Sequence, residues 1–227
     1  MTNSQIWTVV IKPNSTSLAT PVGRRERKRN ETRDKLFHSA LQLFAKNGFA
    51  STRVEEITEA ADVAKGTFFN YFPSKDHVLL YFASRQIGRV ELCLEQATAG
   101  EEPIRKLVRS MAEDLLVLPS STPELARSML ASFMSSEEVR KVVREQIADR
   151  GRRILAQILE IGQSRNEIRT DMEAYELART FQQCMFGTLL LWSLHPAEPI
   201  TGILKRTFEV MWSGMRVPMP VKTQRKK

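Results

Sequence analysis

Between residues 52 and 76 the sequence TRVEEITEAADVAKGTFFNYFPSKD carries two short apolar stripes at helical spacing, separated by a polar dipeptide. Val54, Ile57 and Ala61 form the first stripe, and Ala64, Phe68 and Phe72 the second. Asp62-Val63 lies between them, and Asp tolerates the left-handed backbone that lets one helix cross the other steeply. Thr52 stands where an N-cap belongs and Glu55 follows three residues later, the spacing of a reciprocal cap. Pro73 ends the second helix, and Ser74 can cap the next. The segment is thus predicted as a helical pair over 54–61 and 65–72. With Phe68 and Phe72 turned inward, Lys65, Gly66, Thr67, Phe69, Asn70 and Tyr71 fall on the outward and flanking surfaces. These are chemistries that read a duplex. Lys65 can meet a phosphate or guanine, Thr67 a phosphate or thymine methyl, Asn70 an adenine edge, and Tyr71 the backbone, while Gly66 permits close approach. Taken on its periodicity alone, the same stretch also fits a core hairpin with no nucleic-acid role.

Charge placement sharpens the reading. The formal net charge is +8. Residues 24–35, RRERKRNETRDK, hold seven Lys/Arg against three Asp/Glu, and residues 216–227 hold five Lys/Arg and no acid. The rest of the chain is almost neutral. A basic arm formed by Arg24, Arg25, Arg27, Lys28 and Arg29, ahead of a first helix over 30–47, suits phosphate contact, with minor-groove insertion a further version of it. The C-terminal run is expected to be a tail without assigned function.

At AADVAKGTFFNYFPSK the chain resembles the helix-turn-helix signature of the TetR (tetracycline-repressor-like) family of bacterial transcription regulators. The likeness extends upstream through TRDKLFHSALQLFAKNGFASTRVEEI and covers roughly residues 30 to 85. It implies an all-α fold: an N-terminal three-helix DNA-binding domain and a larger C-terminal helical domain for ligand binding and dimerisation. It also implies a homodimer on a palindromic double-stranded DNA operator, acting as a repressor released by a small apolar or amphipathic effector, with a helix over 75–98 as lever. The expected DNA contacts are the five arm residues with Thr52, Lys65, Gly66, Thr67, Phe69, Asn70, Tyr71 and Lys75. Two positions depart from the family pattern. Asp62 stands where Gly is usual, and Asn70 replaces an aromatic or His, so the operator sequence does not transfer from relatives.

Four segments follow from composition and punctuation: a disordered leader over 1–23, an arm and DNA-binding domain over 24–73, an effector-binding and dimerisation domain over 74–215, and a basic disordered tail over 216–227. Beyond Ser74, helices are predicted near 75–98, 103–118, 123–134, 137–165, 172–194 and 199–214. The leader lacks the long apolar core of a secretory signal, and the longest uncharged apolar run, Cys184 to Leu194, is too short to span a bilayer. A cytoplasmic protein without membrane attachment is expected.

The last two helices carry apolar stripes fuller than a terminal surface needs; ordinary intrachain core accounts for part of both, and pairing them with a second copy would give a four-helix interface through Phe181, Thr188, Leu191, Leu204, Phe208, Met211, Trp212 and Met215. Met111, Leu115, Met129, Phe133, Met134, Cys184 and Met185 are the adaptable apolar residues that could line an effector cavity. Catalysis is not expected. His38, His77 and His195 are scattered, Cys93 and Cys184 lack metal-ligand spacing, and Glu55-Glu56 read as a cap and a solvated side chain. No metal or cofactor is anticipated. The alternative from another class is a helical protein-interaction adaptor that uses Met211, Trp212 and Met215 without DNA.

Overall fold

The computed structural model describes residues 23–100, 102–117, 121–135 and 137–217, so the predicted leader up to residue 22 and most of the predicted tail lie outside the described residues. Within them the chain is helical, and the β-type pairing is a single isolated antiparallel bridge between Ile168 and Arg216. In chain order the helices are α1 (Arg24–Asn47), α2 (Val54–Ala60), α3 (Lys65–Phe69), α4 (Asp76–Ala99), α5 (Ile104–Val117), α6 (Pro123–Ser135), α7 (Glu137–Val142), a π-helical segment (Val143–Arg150), α8 (Gly151–Ser164), α9 (Ala174–Leu194) and α10 (Ile200–Met215).

Helix α1 begins at Arg24 rather than near residue 30, so the expected arm is its first two turns. The reason is local: Arg, Lys and Glu are strong helix formers, no Gly or Pro interrupts them, and Arg27 pairs with Glu31 one turn on at 3.7 Å. Gly48, at φ 81°, ends the helix.

The start of α2 is displaced by one residue from the predicted cap. Arg53 is the N-cap, and its N–H donates to the Glu56 carboxylate at 2.7 Å. Thr52 is instead buried, its hydroxyl donating to the Gly48 carbonyl at 2.7 Å. Between α2 and α3, Asp62 takes the left-handed conformation at φ 52°, as a steep crossing demands. Ala64, expected on the inner stripe, is exposed at the N-cap of α3, and Val63 packs inward in its place.

Two apolar cores organise the molecule. The first gathers Leu36, Phe37, Leu41 and Phe44 of α1, Ile57 of α2, and Phe68 and Phe72 around α3. It is completed by Val78, Leu79 and Phe82 of α4 and by Leu125 and Met129 of α6. The Ser128 hydroxyl of α6 also accepts the Phe49 N–H at 2.8 Å. The reading head is therefore seated on α4 and α6. On the α4 side Asp34 accepts hydrogen bonds from Tyr81 at 3.1 Å and Arg85 at 3.2 Å. The second core, from Val90 to Met215, is closed where α8 meets the loop after it: a Cβ at Gly162 would stand 2.5 Å from the Ile168 side chain.

The long helix predicted over 137–165 is interrupted by the π segment. No breaker residue in VREQIADR announces it. Its Ile147 carbonyl is met from α9 by the Gln182 amide at 2.8 Å, so a tertiary partner serves a group the wider turn exposes.

Candidate nucleic-acid interface and effector cavity

Phe68 is fully buried and Phe72 nearly so, and together they hold α3 against the first core. Hydrogen bonds from Tyr71 and Phe72 back to the Phe68 carbonyl, both 2.9 Å, carry the helical turn past Phe69. The outward rim is then as the spacing requires. Lys65, Gly66, Phe69 and Asn70 are exposed, and Thr67 and Tyr71 are half-buried. Phe69, a large apolar ring, is 47% exposed. A Cβ at Gly66 would meet nothing within 4 Å, so the open space there lies outside the protein.

Lys65 is not idle. Its ammonium lies 2.5 Å from Glu55, and that hydrogen bond holds the Glu55 carboxyl below its ordinary range. Both side chains are 58% exposed, so a phosphate can displace the carboxylate at small cost.

Across a surface groove from α3 stands the first turn of α1. Arg25, Glu26 and Arg29 form one wall, and Thr67, Asn70 and Tyr71 the other. Among the described residues neither Arg25 nor Arg29 has an ion-pair partner, whereas Arg27 is turned to Glu31. Arg24 and Lys28 lie outside the groove lining. Because these cations ride on a helix, they form a rigid wall rather than a threading arm.

Two expected contacts are corrected. Thr52 is 2% exposed and its hydroxyl is spent on Gly48. Lys75 donates to the carbonyls of Phe49, Ala50 and Thr52 at 2.8, 2.9 and 3.3 Å and lies 4.7 Å from the Phe49 ring centre. An ammonium has three N–H donors, and all three are taken.

Behind this head lies a cavity of about 180 Å³, walled by α4, α5, α6, the π segment, α8 and α9. Met111, Leu115, Met129, Phe133 and Met185 face it. Cys184 does not: on α9 the lining residues are Phe181, Gln182, Met185, Phe186 and Leu189, which turns Cys184 aside. The Met134 side chain lies outside the described residues. Sequence reasoning missed the α4 wall, whose Phe82, Gln86 and Val90 recur every four residues; the lone glutamine in that stripe was the available signal. Phe82 and Met129 belong at once to the cavity wall and to the core of the reading head.

Residues 36–82 match the model of the bacterial regulatory proteins of the tetR family. The chain is 39% identical over 95 residues to the transcriptional regulator TcmR of Streptomyces glaucescens, a match spanning 42% of each chain. It is 25% identical over 177 residues to the transcriptional repressor KstR of Mycolicibacterium smegmatis, covering 78% of this chain and 83% of that one. The chain carries a TetR-family DNA-binding region. Among solved structures, the TetR-family repressor FadR of Thermus thermophilus, in complex with lauroyl-CoA, aligns with TM-score 0.58 and 25% identity over 83% of this chain and 97% of its own. FadR of Bacillus subtilis, in complex with stearoyl-CoA, shares the fold at TM-score 0.65 and 20% identity, covering 80% and 98%. With that region the chain is a DNA-binding transcription regulator, and the adaptor alternative is not favoured.

The expected dimer stripe needs revision. Phe181, Phe208, Trp212 and Met215 are buried in its own second core, with the Phe208 and Trp212 rings stacked at 5.9 Å and Phe181 edge-on to Phe208 at 6.2 Å. Leu204 and Met211 are partly buried against the same core. Thr188, half-buried, reaches Thr207 of α10 at 3.3 Å. The most uncovered apolar residues of α9 and α10 are Leu191 at 69%, Leu194 at 64% and Val210 at 71% exposure, with Phe186 and Leu190 also exposed. Among the described residues no helix is long and apolar enough to cross a membrane.

Proposed function

We propose that the protein is a homodimeric repressor that grips a palindromic operator with Lys65, Gly66, Thr67, Phe69, Asn70 and Tyr71 and lets go when an amphipathic effector enters the cavity. The observation that carries this reading is the polar rim of α3, held outward by Phe68 and Phe72 and faced across a groove by Arg25 and Arg29. Arg25 and Arg29 hold phosphates, with Arg24, Arg27 and Lys28 adding long-range attraction. Residues 24–73 are the DNA-binding domain and 74–215 the effector and dimerisation domain. Leu191, Leu194 and Val210 form the face against a second copy, which sets two reading helices roughly 34 to 36 Å apart.

An apolar cavity whose wall includes two residues of the core beneath the reading head supports effector control, because filling it bears directly on the seat of α3. The FadR relatives hold lauroyl-CoA and stearoyl-CoA, which supports an effector with a hydrocarbon chain. Effector and operator then weaken each other reciprocally. Genomic footprinting with the purified protein, repeated with Lys65→Ala and Asn70→Ala together, tests the reading. Protected palindromes that vanish in the double variant are expected. Equal protection by both proteins would move DNA binding elsewhere.

A further inference from the structure

The cavity contains no charged side chain. Its polar lining is Gln86 and Gln182, and each is backed by an arginine. Gln182 is engaged at both ends: its oxygen accepts from Arg152 Nε and Nη2 at 3.2 and 3.0 Å, and its amide nitrogen serves the Ile147 carbonyl. Arg152 also donates to the Tyr175 hydroxyl at 3.3 Å and lies over that ring. Arg89 is different. It is half-buried, and among the described residues it makes one hydrogen bond, from Nη1 to the Gln86 oxygen at 2.6 Å. A guanidinium has five N–H donors, so most of this one is unspent beside an apolar cavity.

Nor is the charge of Arg89 matched. Among the described residues no carboxylate comes within ion-pair distance of it. Asp34 is committed to Arg85 and Tyr81, and Arg85 itself, one turn earlier on α4, adds positive charge. Burial first, and then Arg85, depress the basicity of Arg89, with Asp114 opposing from a distance. Burial raises the Asp114 carboxyl and Arg89 lowers it, without a direct contact between the two. A partly desolvated cation with only a neutral acceptor is costly, and an anion placed there offsets the cost.

We propose that Arg89 anchors the acidic head of the effector, displacing the Gln86 oxygen, so that the cavity selects amphipathic anions with an uncharged hydrocarbon tail. This rests on the effector reading above. The shared chemistry has two sources, a free fatty acid or an acyl-CoA.

The test measures binding of decanoate, decanoyl-CoA and decanol to the full chain, with operator retention measured separately without them. The wild-type protein should bind at least one of the two anions about tenfold or more tightly than decanol, the worth of a charge-assisted hydrogen bond. Arg89→Gln should erase that preference, Arg89→Lys should keep it, and Arg152→Gln should leave it unchanged; thermal melts check folding. Decanoate alone showing the preference identifies a free carboxylate, and decanoyl-CoA alone identifies the thioester. Decanol binding as tightly as both anions, no binding by any of the three, or a preference that survives Arg89→Gln or disappears in Arg152→Gln overturns the proposal. Loss of operator retention in their absence would instead count against the DNA-binding reading.

Discussion

Replacing Lys75 with Met separates a fold-supporting lysine from a phosphate-binding one. In the structure its ammonium spans three carbonyls of the turn between α1 and α2, at 2.8, 2.9 and 3.3 Å, and sits over the Phe49 ring. Hydrogen bonds to a charged group contribute about 1.5–3 kcal/mol, and a cation over an aromatic face about 0.5–1 kcal/mol. Water can reach the partly exposed turn and replace some of this, while the retained alkyl stem of Met keeps its packing. A net loss of about 1–2 kcal/mol is expected. For a domain of this size that corresponds to a fall in melting temperature of roughly 2–8 °C. A phosphate contact has another signature: its removal flattens the plot of log affinity against log salt by roughly 0.9. The variant should therefore melt earlier in differential scanning calorimetry while its salt slope on a fixed operator, well below the melting temperature, stays as in the wild type. An unchanged melt with a flatter slope would refute the assignment and return Lys75 to the DNA surface.

Arg25→Ala with Arg29→Ala should flatten the same plot by roughly 1.8, two phosphates' worth, and a minor-groove ligand such as distamycin should not compete with the wild-type arginines. An unchanged slope would remove the first turn of α1 from the interface. Gly162→Ala forces a methyl group into Ile168 and should cost about 1–3 kcal/mol in urea unfolding; a neutral result would mean that the loop after α8 yields freely. Leu191→Asp with Val210→Asp should give monomers in analytical ultracentrifugation with little loss of monomer stability, since both side chains are exposed, whereas a persistent dimer would place the interface on another face.

The reading head was legible because its signals are local. Phe68, Phe72, Asp62 and Pro73 act within one or two turns of their own backbone, and each sits as its chemistry demands. Failures came where a neighbour in space decides. Thr52 and Arg53 both suit a helix start, and burial of the threonine beside Gly48 gave the cap to Arg53. An apolar stripe records that a face is covered but not by what, so Phe208 and Trp212 looked like dimer contacts although their own chain covers them. The cavity residues of α4 went unseen for the same reason. The π segment lacks a sequence mark altogether, its carbonyl being met by a glutamine 35 positions away. Arg24 to Arg29 differ in another way: the arm expected ahead of a helix over 30–47 is part of that helix, as its residue types favour.

Phe82 and Met129 look two ways, into the proposed effector cavity and into the packing beneath the recognition element. A mutation at either position retunes chemical preference and grip on the genome together. Descendants of this chain that adopt a new inducer without losing their promoter must therefore change first along the opposite side, at positions such as Leu155 or Met185, where the two tasks do not share an atom.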